Sequence, residues 1–230
     1  MQTSSPDTIT LVSRDPSGQA DPLVARLRDE LEAAVQIEDQ TERLVEVAAI
    51  VEEALDAIGV GAVVVGGLAV AYWTRSQYVT VEIDFVAPVN RAVTERLAAL
   101  GFVRGPGRHW TYPDSEVAIE FPGTSLDGGD QATEVESRGG RTLRVLSPED
   151  IALWRMREFL HWHDSRGLRH VLYIMDSERI DRARLEARAA ETGLTEALNW
   201  ICSAAEEIKK GRTFESWEIE KEAKRLEREN

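Results

Sequence analysis

A single cysteine, Cys202, in 230 residues rules out an intramolecular disulfide and fits a reducing cytoplasm. Positive charge is also in short supply: 27 Lys and Arg against 41 Asp and Glu leave a formal net charge of −14. That balance argues against a protein whose main task is to grip nucleic acid over a broad basic face. A small basic cleft remains open to it, because the arginines are unevenly spread. No apolar run approaches the roughly 20 residues needed to cross a bilayer, and no basic start leads into an apolar segment of the signal-peptide kind. The expectation is a soluble, cytoplasmic protein that makes no membrane contact.

What is present divides the chain by pattern. Residues 1–20 are rich in Ser, Asp, Pro and Gly and read as a loose arm, with a short strand at Ile9–Val12. Residues 21–59 read as N-terminal helices. Asp21-Pro22 is a helix start, a capping side chain before proline at the first position. Leu44, Val47, Val51, Ala54, Leu55 and Ile58 then make one apolar stripe, able to pack on a sheet or on a second copy in a homodimer. Residues 60–146 alternate short strands with short helices. The strands are expected at Ala62–Val65, Val79–Val86, Phe102–Arg104, His109–Tyr112, Val117–Phe121, Ala132–Glu136 and Leu143–Val145. From Ser147 the pattern is helical to about 210, opened by Ser147-Pro148-Glu149-Asp150, an N-cap, a proline and acids in the first turn. Residues 211–230 read as a charged tail helix with little apolar stripe, solvated or waiting for a partner. The fold class is α+β: a mixed sheet core with flanking helices and a C-terminal helical region.

The chemistry concentrates in Ala62–Pro88. A β-branched run ends in Gly66-Gly67, passes a short helix and a polar turn of Thr74, Arg75 and Ser76, and returns as a strand carrying Glu82 and Asp84. Residues two apart on a strand share a face, so these carboxylates project side by side. Such a pair is costly unless it holds cations, and magnesium takes hard oxygen ligands from a few carboxylates and substrate phosphates. Glu120, alternating with apolar neighbours before Pro122, is the best third acid, and Pro122 is expected to end its strand. Gly66 and Gly67 would open the backbone to phosphates, the next helix would offer amide donors, and Arg75 or Ser76 would add contacts to the phosphate tail. The three acids then become candidate catalytic metal ligands, with Mg, or alternatively Mn, as the cofactor.

Gly66-Gly67, the short helix, the Arg-containing turn and Thr80-Val81-Glu82-Ile83-Asp84-Phe85 together resemble the nucleotidyltransferase superfamily signature. Glu120-Phe121-Pro122 and Val145-Leu146-Ser147-Pro148-Glu149-Asp150-Ile151 extend the likeness over roughly 60–201. It is similar to the minimal nucleotidyltransferase-like proteins of bacteria and archaea, some of which are toxins of toxin–antitoxin or abortive-infection pairs. The resemblance implies a nucleotidyltransferase-like core and transfer of a nucleoside monophosphate from an NTP to a hydroxyl of RNA (tRNA) or protein. It also implies a cognate antitoxin as partner, and Arg155 or Arg157 as the basic residue directed at the phosphates. Glu82 departs from the usual aspartate, and the segment between glycines and acids is about one residue longer than the family's.

Alternatives stand beside this reading. The same fold with a degraded site would serve as a nucleotide-binding or protein-interaction module. A metal-dependent nuclease is disfavoured, because such sites place lysine two residues after the last acid, where this chain has Pro122. Trp154, Phe159 and Trp162 read as core, and His109 and His170 as structural. His161 and His163 point apart and make a poor metal pair. Cys202 reads as a small buried hydrophobe. Arg166 and Arg169, near Asp164, border a cleft or are ordinary surface charges.

Overall fold

The computed structural model describes residues 21–163, 165–177 and 179–229. The arm at 1–20 with its Ile9–Val12 strand, and Asp164, lie outside these. Among the described residues the chain is α+β, with nine helices and one seven-stranded mixed sheet.

Two helices precede the sheet: α1 (Pro22–Ala34) and α2 (Gln40–Asp56). Each starts where a free amide finds a carboxylate, Asp21 accepting from the Leu23 N–H and Asp39 from the Glu42 N–H. The strands and helices of the core follow as β1 (Val63–Val65), α3 (Gly66–Trp73), β2 (Glu82–Val86), α4 (Arg91–Ala99), β3 (Val103–Arg104), β4 (His109–Thr111), β5 (Ala118–Gly123), β6 (Ala132–Glu136) and β7 (Thr142–Leu146). The sheet order is β3-β4-β5-β2-β1-β7-β6. β1 and β7 pair in parallel, as do β2 and β5; the remaining pairs are antiparallel. β1 therefore lies inside the sheet, as its unbroken valines require.

The two faces of the sheet differ. Ile83, Phe85, Trp110, Ile119, Leu143 and Val145 point one way and are buried. Beneath them lie α1, α2 and α4, so the Leu44–Ile58 stripe packs on the chain's own sheet. The other face carries Glu82, Asp84 and Glu120. It is closed at Val65 and Leu146 but exposed at His109, Thr111 and Val103.

Two strand boundaries near the acids and the character of the tail depart from expectation. β2 begins at Glu82, leaving Val79 and Val81 exposed in the approach to it. β5 runs through Pro122 to Gly123, and its register with β2 shifts between Asp84 and Val86. An extra residue sits in β5 at that bulge, which tolerates a residue without an N–H. The tail is not a solvated helix: α9 (Ser216–Glu229) buries Ala223 and Leu226 completely, against α5 (Pro148–Trp162) and its neighbours.

The remaining helices are α6 (Ser165–Met175), α7 (Arg182–Glu191) and α8 (Thr195–Lys209). Gly167 allows α6 to lie close on α5, since a Cβ there would stand 2.8 Å from the Arg155 carbonyl oxygen. The Ser147 hydroxyl caps α5 by accepting the Asp150 N–H, and Asp150, fully buried, is held by Arg184 at 2.5 Å and Arg188 at 3.1 Å. Arg188 also reaches Asp130 at 2.9 Å, so the helix-start acids fasten α7 to the loop before β6. No helix among the described residues is long and apolar enough to cross a membrane.

Candidate functional site

Strand register assembles the acids. β1 and β2 align Val65 with Asp84, and β2 and β5 align Asp84 with Glu120. Glu82, two residues before Asp84, shares its face. One carboxylate oxygen from each of Glu82, Asp84 and Glu120 lies within 4.8 Å of the others, and all three side chains are half-buried. Hard oxygen donors at that separation suit a divalent cation.

The glycine turn is built around Asp84. Gly66 has φ +60°, and a Cβ on it would lie 1.9 Å from Asp84 Oδ2. Glycine is required here by backbone conformation and by space together. The Gly67 N–H donates to the Asp84 carboxylate, so the first amides of α3 face the acid cluster. Burial pushes the Asp84 carboxyl up from its ordinary 3.8 to about 6. The Gly67 hydrogen bond opposes that rise, the negative charges of Glu120 and Glu82 add to it, and Arg155 opposes it. A carboxylate crowded by like charges, with one backbone donor, is poised for a cation.

Arg155, from α5, ion-pairs with Glu158 at 2.5 Å, while its buried Nε has no hydrogen-bond partner. With Tyr78, Trp162, Arg166, Arg169 and His170 it lines a cavity of about 450 Å³. Tyr78 lies against the glycine turn, 3.3 Å from where a Gly67 Cβ would be, so this cavity, lined by three arginines and by Glu158, adjoins the amides facing Asp84. Arg157 lines a separate cavity of about 330 Å³ with Val86, Pro122 and Trp154, beyond the acids on the same strands.

The other candidates fall elsewhere. Arg75 and Ser76, with φ of 51° and 64°, lie past the far end of α3, roughly 10 Å from the glycines at 1.5 Å per residue. Arg75 lines a recess with Trp73, Tyr173, Asp176 and Arg179, which includes none of the acids. The structure does not bring these two residues to the cluster, because α3 continues nearly two turns beyond the glycines before the chain reverses. Of the α5 aromatics Phe159 is core, but Trp162 is 69% exposed at the cavity mouth. His163 ends α5 and pairs with Glu227 of α9 at 2.8 Å. Cys202 is half-buried beside a third cavity, and burial raises its thiol pKa.

Two residues escape sequence reasoning. Arg108 Nη2 lies 3.3 Å from Glu120 Oε1 and its Nη1 donates to the Pro122 carbonyl at 3.1 Å. His109, read as structural, pairs directly across from Glu120, with Nδ1 3.9 Å from Oε2. The signal was available: a hairpin closing Tyr112 on Val117 around Pro113-Asp114 places His109 opposite Glu120. An ion pair as exposed as Arg108–Glu120 contributes about 0–1 kcal/mol, so a cation could displace the arginine at small cost.

No protein-family model and no curated protein matches the chain. Among solved structures it is similar to an antigenic nucleotidyltransferase-like protein from Paracoccidioides brasiliensis, with 17% identity over 74% of this chain and 93% of that one. The TM-score is 0.49, a likeness too slight to carry an inference.

Proposed function

We propose that the chain is a divalent-cation-dependent nucleotidyltransferase, moving a nucleoside monophosphate from an NTP to a hydroxyl of RNA, tRNA included, or of protein. The observation that carries this reading is the convergence of Glu82, Asp84 and Glu120 within 4.8 Å beside the Gly66-Gly67 turn. The donor set fits magnesium or manganese: carboxylate oxygens only, half-exposed, with the Asp84 carboxyl raised by burial first and by its neighbours' charge second. Bound there, the metal would neutralise the triphosphate and lower the pKa of the acceptor hydroxyl.

The protein's own groups divide the remaining work. The glycines and the first amides of α3 present donors to the phosphates without a side chain in the way. Arg155, Arg166 and Arg169 put positive charge along the adjoining cavity, where phosphate oxygens would accept charge-assisted bonds. Tyr78 and Trp162 offer ring surfaces at the same cavity for a base. In the transfer, the acceptor hydroxyl gives up its proton to water as its oxygen bonds to the α-phosphorus, the α–β bridge breaks and pyrophosphate leaves.

The test is transfer of label from each NTP, with Mg²⁺ or Mn²⁺, to total RNA and total protein. Wild type should label one acceptor class and Asp84→Asn neither; no label from any NTP, or equal labelling by the variant, overturns the reading. The Arg108–Glu120 pair and Glu82 in place of aspartate favour a second reading, a nucleotide-binding module without turnover. Calorimetric NTP binding in the absence of any transfer would support it. A place in a toxin–antitoxin pair, taken from the family resemblance, predicts growth arrest on expression that Asp84→Asn abolishes.

A further inference from the structure

We infer that Arg108 is the acceptor-recognition residue of this site: it caps Glu120 in the free protein and grips a phosphate of a polynucleotide end when Glu120 turns to a cation. The inference rests on the transferase reading above and names its second substrate.

One open approach to the acids lies along the sheet. β1 and its glycine turn flank Asp84 on one side, where Tyr78 and Arg155 line the cavity suited to the triphosphate. β5 flanks it on the other, about 4.8 Å across. From Glu120 outward the same face of the sheet runs over His109, Thr111 and Val103, all exposed, to the edge of the sheet. This ledge offers an acceptor hydroxyl a route to Asp84 from outside the nucleotide cavity.

Its charge selects the acceptor. In a chain of net charge −14 the ledge carries a guanidinium next to the acid cluster, on a side chain 63% exposed. Arginine's planar fork matches a phosphate in two hydrogen bonds, and a phosphodiester one sugar away from the reacting hydroxyl is a fixed feature of polynucleotide ends. A serine or tyrosine hydroxyl of a protein carries no such anion. His109, directly across from Glu120, adds a ring and a donor beneath the terminal sugar. A cation that draws the Glu120 carboxylate inward removes the ionic partner of Arg108 and leaves only the Pro122 carbonyl on Nη1, so cation loading makes the guanidinium available to the acceptor.

Binding of a short, labelled, random-sequence oligoribonucleotide with a free 3′-hydroxyl, followed by anisotropy over a salt series, tests this without reference to turnover. Its DNA counterpart separates the two kinds of strand. Wild type should bind, and more tightly with Mg²⁺ than without. Arg108→Ala should weaken binding roughly tenfold and reduce the salt slope by about 0.7, one single-strand phosphate contact. Arg108→Lys, keeping charge without the fork, should recover part of the loss, and a melting curve matching wild type shows that the fold is kept. Arg138→Ala, on the opposite edge of the sheet, should bind as wild type does. Equal binding by wild type and Arg108→Ala, or none by either, overturns the inference. If protein is labelled regardless of Arg108 while oligonucleotides do not bind, only this inference falls. If oligonucleotide binding depends on Arg108 but no NTP is ever transferred, the transferase reading falls and the contact stands.

Discussion

At the scale of single residues, Gly66 and Asp84 are made for each other. A methyl group on Gly66 would overlap the Asp84 carboxylate at 1.9 Å and hold an L-residue at φ +60°. Gly66→Ala should cost about 1–3 kcal/mol, read by urea denaturation, and should displace the carboxylate enough to abolish Mn²⁺ binding. The Asp84 charge works against folding. Its folded pKa, about 6, is above the ordinary 3.8, so the share of stability linked to this group is fullest below pH 4 and is lost as pH rises through about 6. Asp84→Asn should therefore melt higher than wild type at neutral pH, by up to about 3 kcal/mol, with the gap closing in acid. A lower melting temperature at neutral pH would contradict the assigned cost. Alternation along one strand made Glu82 and Asp84 legible in the sequence, and Glu120 followed from its apolar flanks. Arg108 was not legible, because its meaning comes from a neighbouring strand's register and not from its own surroundings in the chain.

At the scale of elements, Ser147-Pro148-Glu149-Asp150 was recognisable as a helix start, but not as an anchor for a second helix. Burial alone would raise the Asp150 carboxyl; bonds from Arg184, Ser147, the Gln131 amide and Arg188 outweigh it and hold the group below its usual range. Its stabilising share is thus present above the ordinary carboxylate pKa and is lost as pH falls through the lowered folded value. Arg188→Met strips the buried Asp130 and Asp150 of their shared cation and should cost about 3–5 kcal/mol, seen as a fall in urea midpoint. α9 carries the opposite lesson. Ile219, Ala223 and Leu226 do recur at helical spacing, yet the stripe is thin among charges, and only the position of α5 shows that it is used. Leu226→Ala should cost about 2–3 kcal/mol and speed amide exchange in α9 before the sheet.

At the scale of the whole molecule, the acids outnumber the bases, and many arginines are spent tying helices to the sheet. Arg141 binds Glu46 at 2.6 Å and Glu53 at 3.1 Å, and Arg144 binds Glu52 at 2.5 Å, holding α2 to the β6–β7 hairpin. The arginines around the acid cluster lie outside that framework, Arg155 beside Glu158 and Arg108 beside Glu120. A divalent cation held by Glu82, Asp84 and Glu120 should raise global stability by about 2.7 kcal/mol at a hundredfold excess over its dissociation constant. The rise should vanish in Asp84→Asn, with thermal melts as the measurement. The sequence by itself determined the kinds of element, the inner strand, the helix caps and the face that carries the paired acids. These follow from local period, end chemistry and apolar runs, which act over a few residues. Only the tertiary structure decided that Glu120 meets Asp84, that Arg108 caps it, that Arg75 stands apart and that α9 is buried. Those outcomes depend on which strands pair and in what register, and on which helix lies over which face. Contacts between residues far apart in the chain settle most of them, and beyond the hairpin that sets His109 opposite Glu120 no local pattern records those contacts.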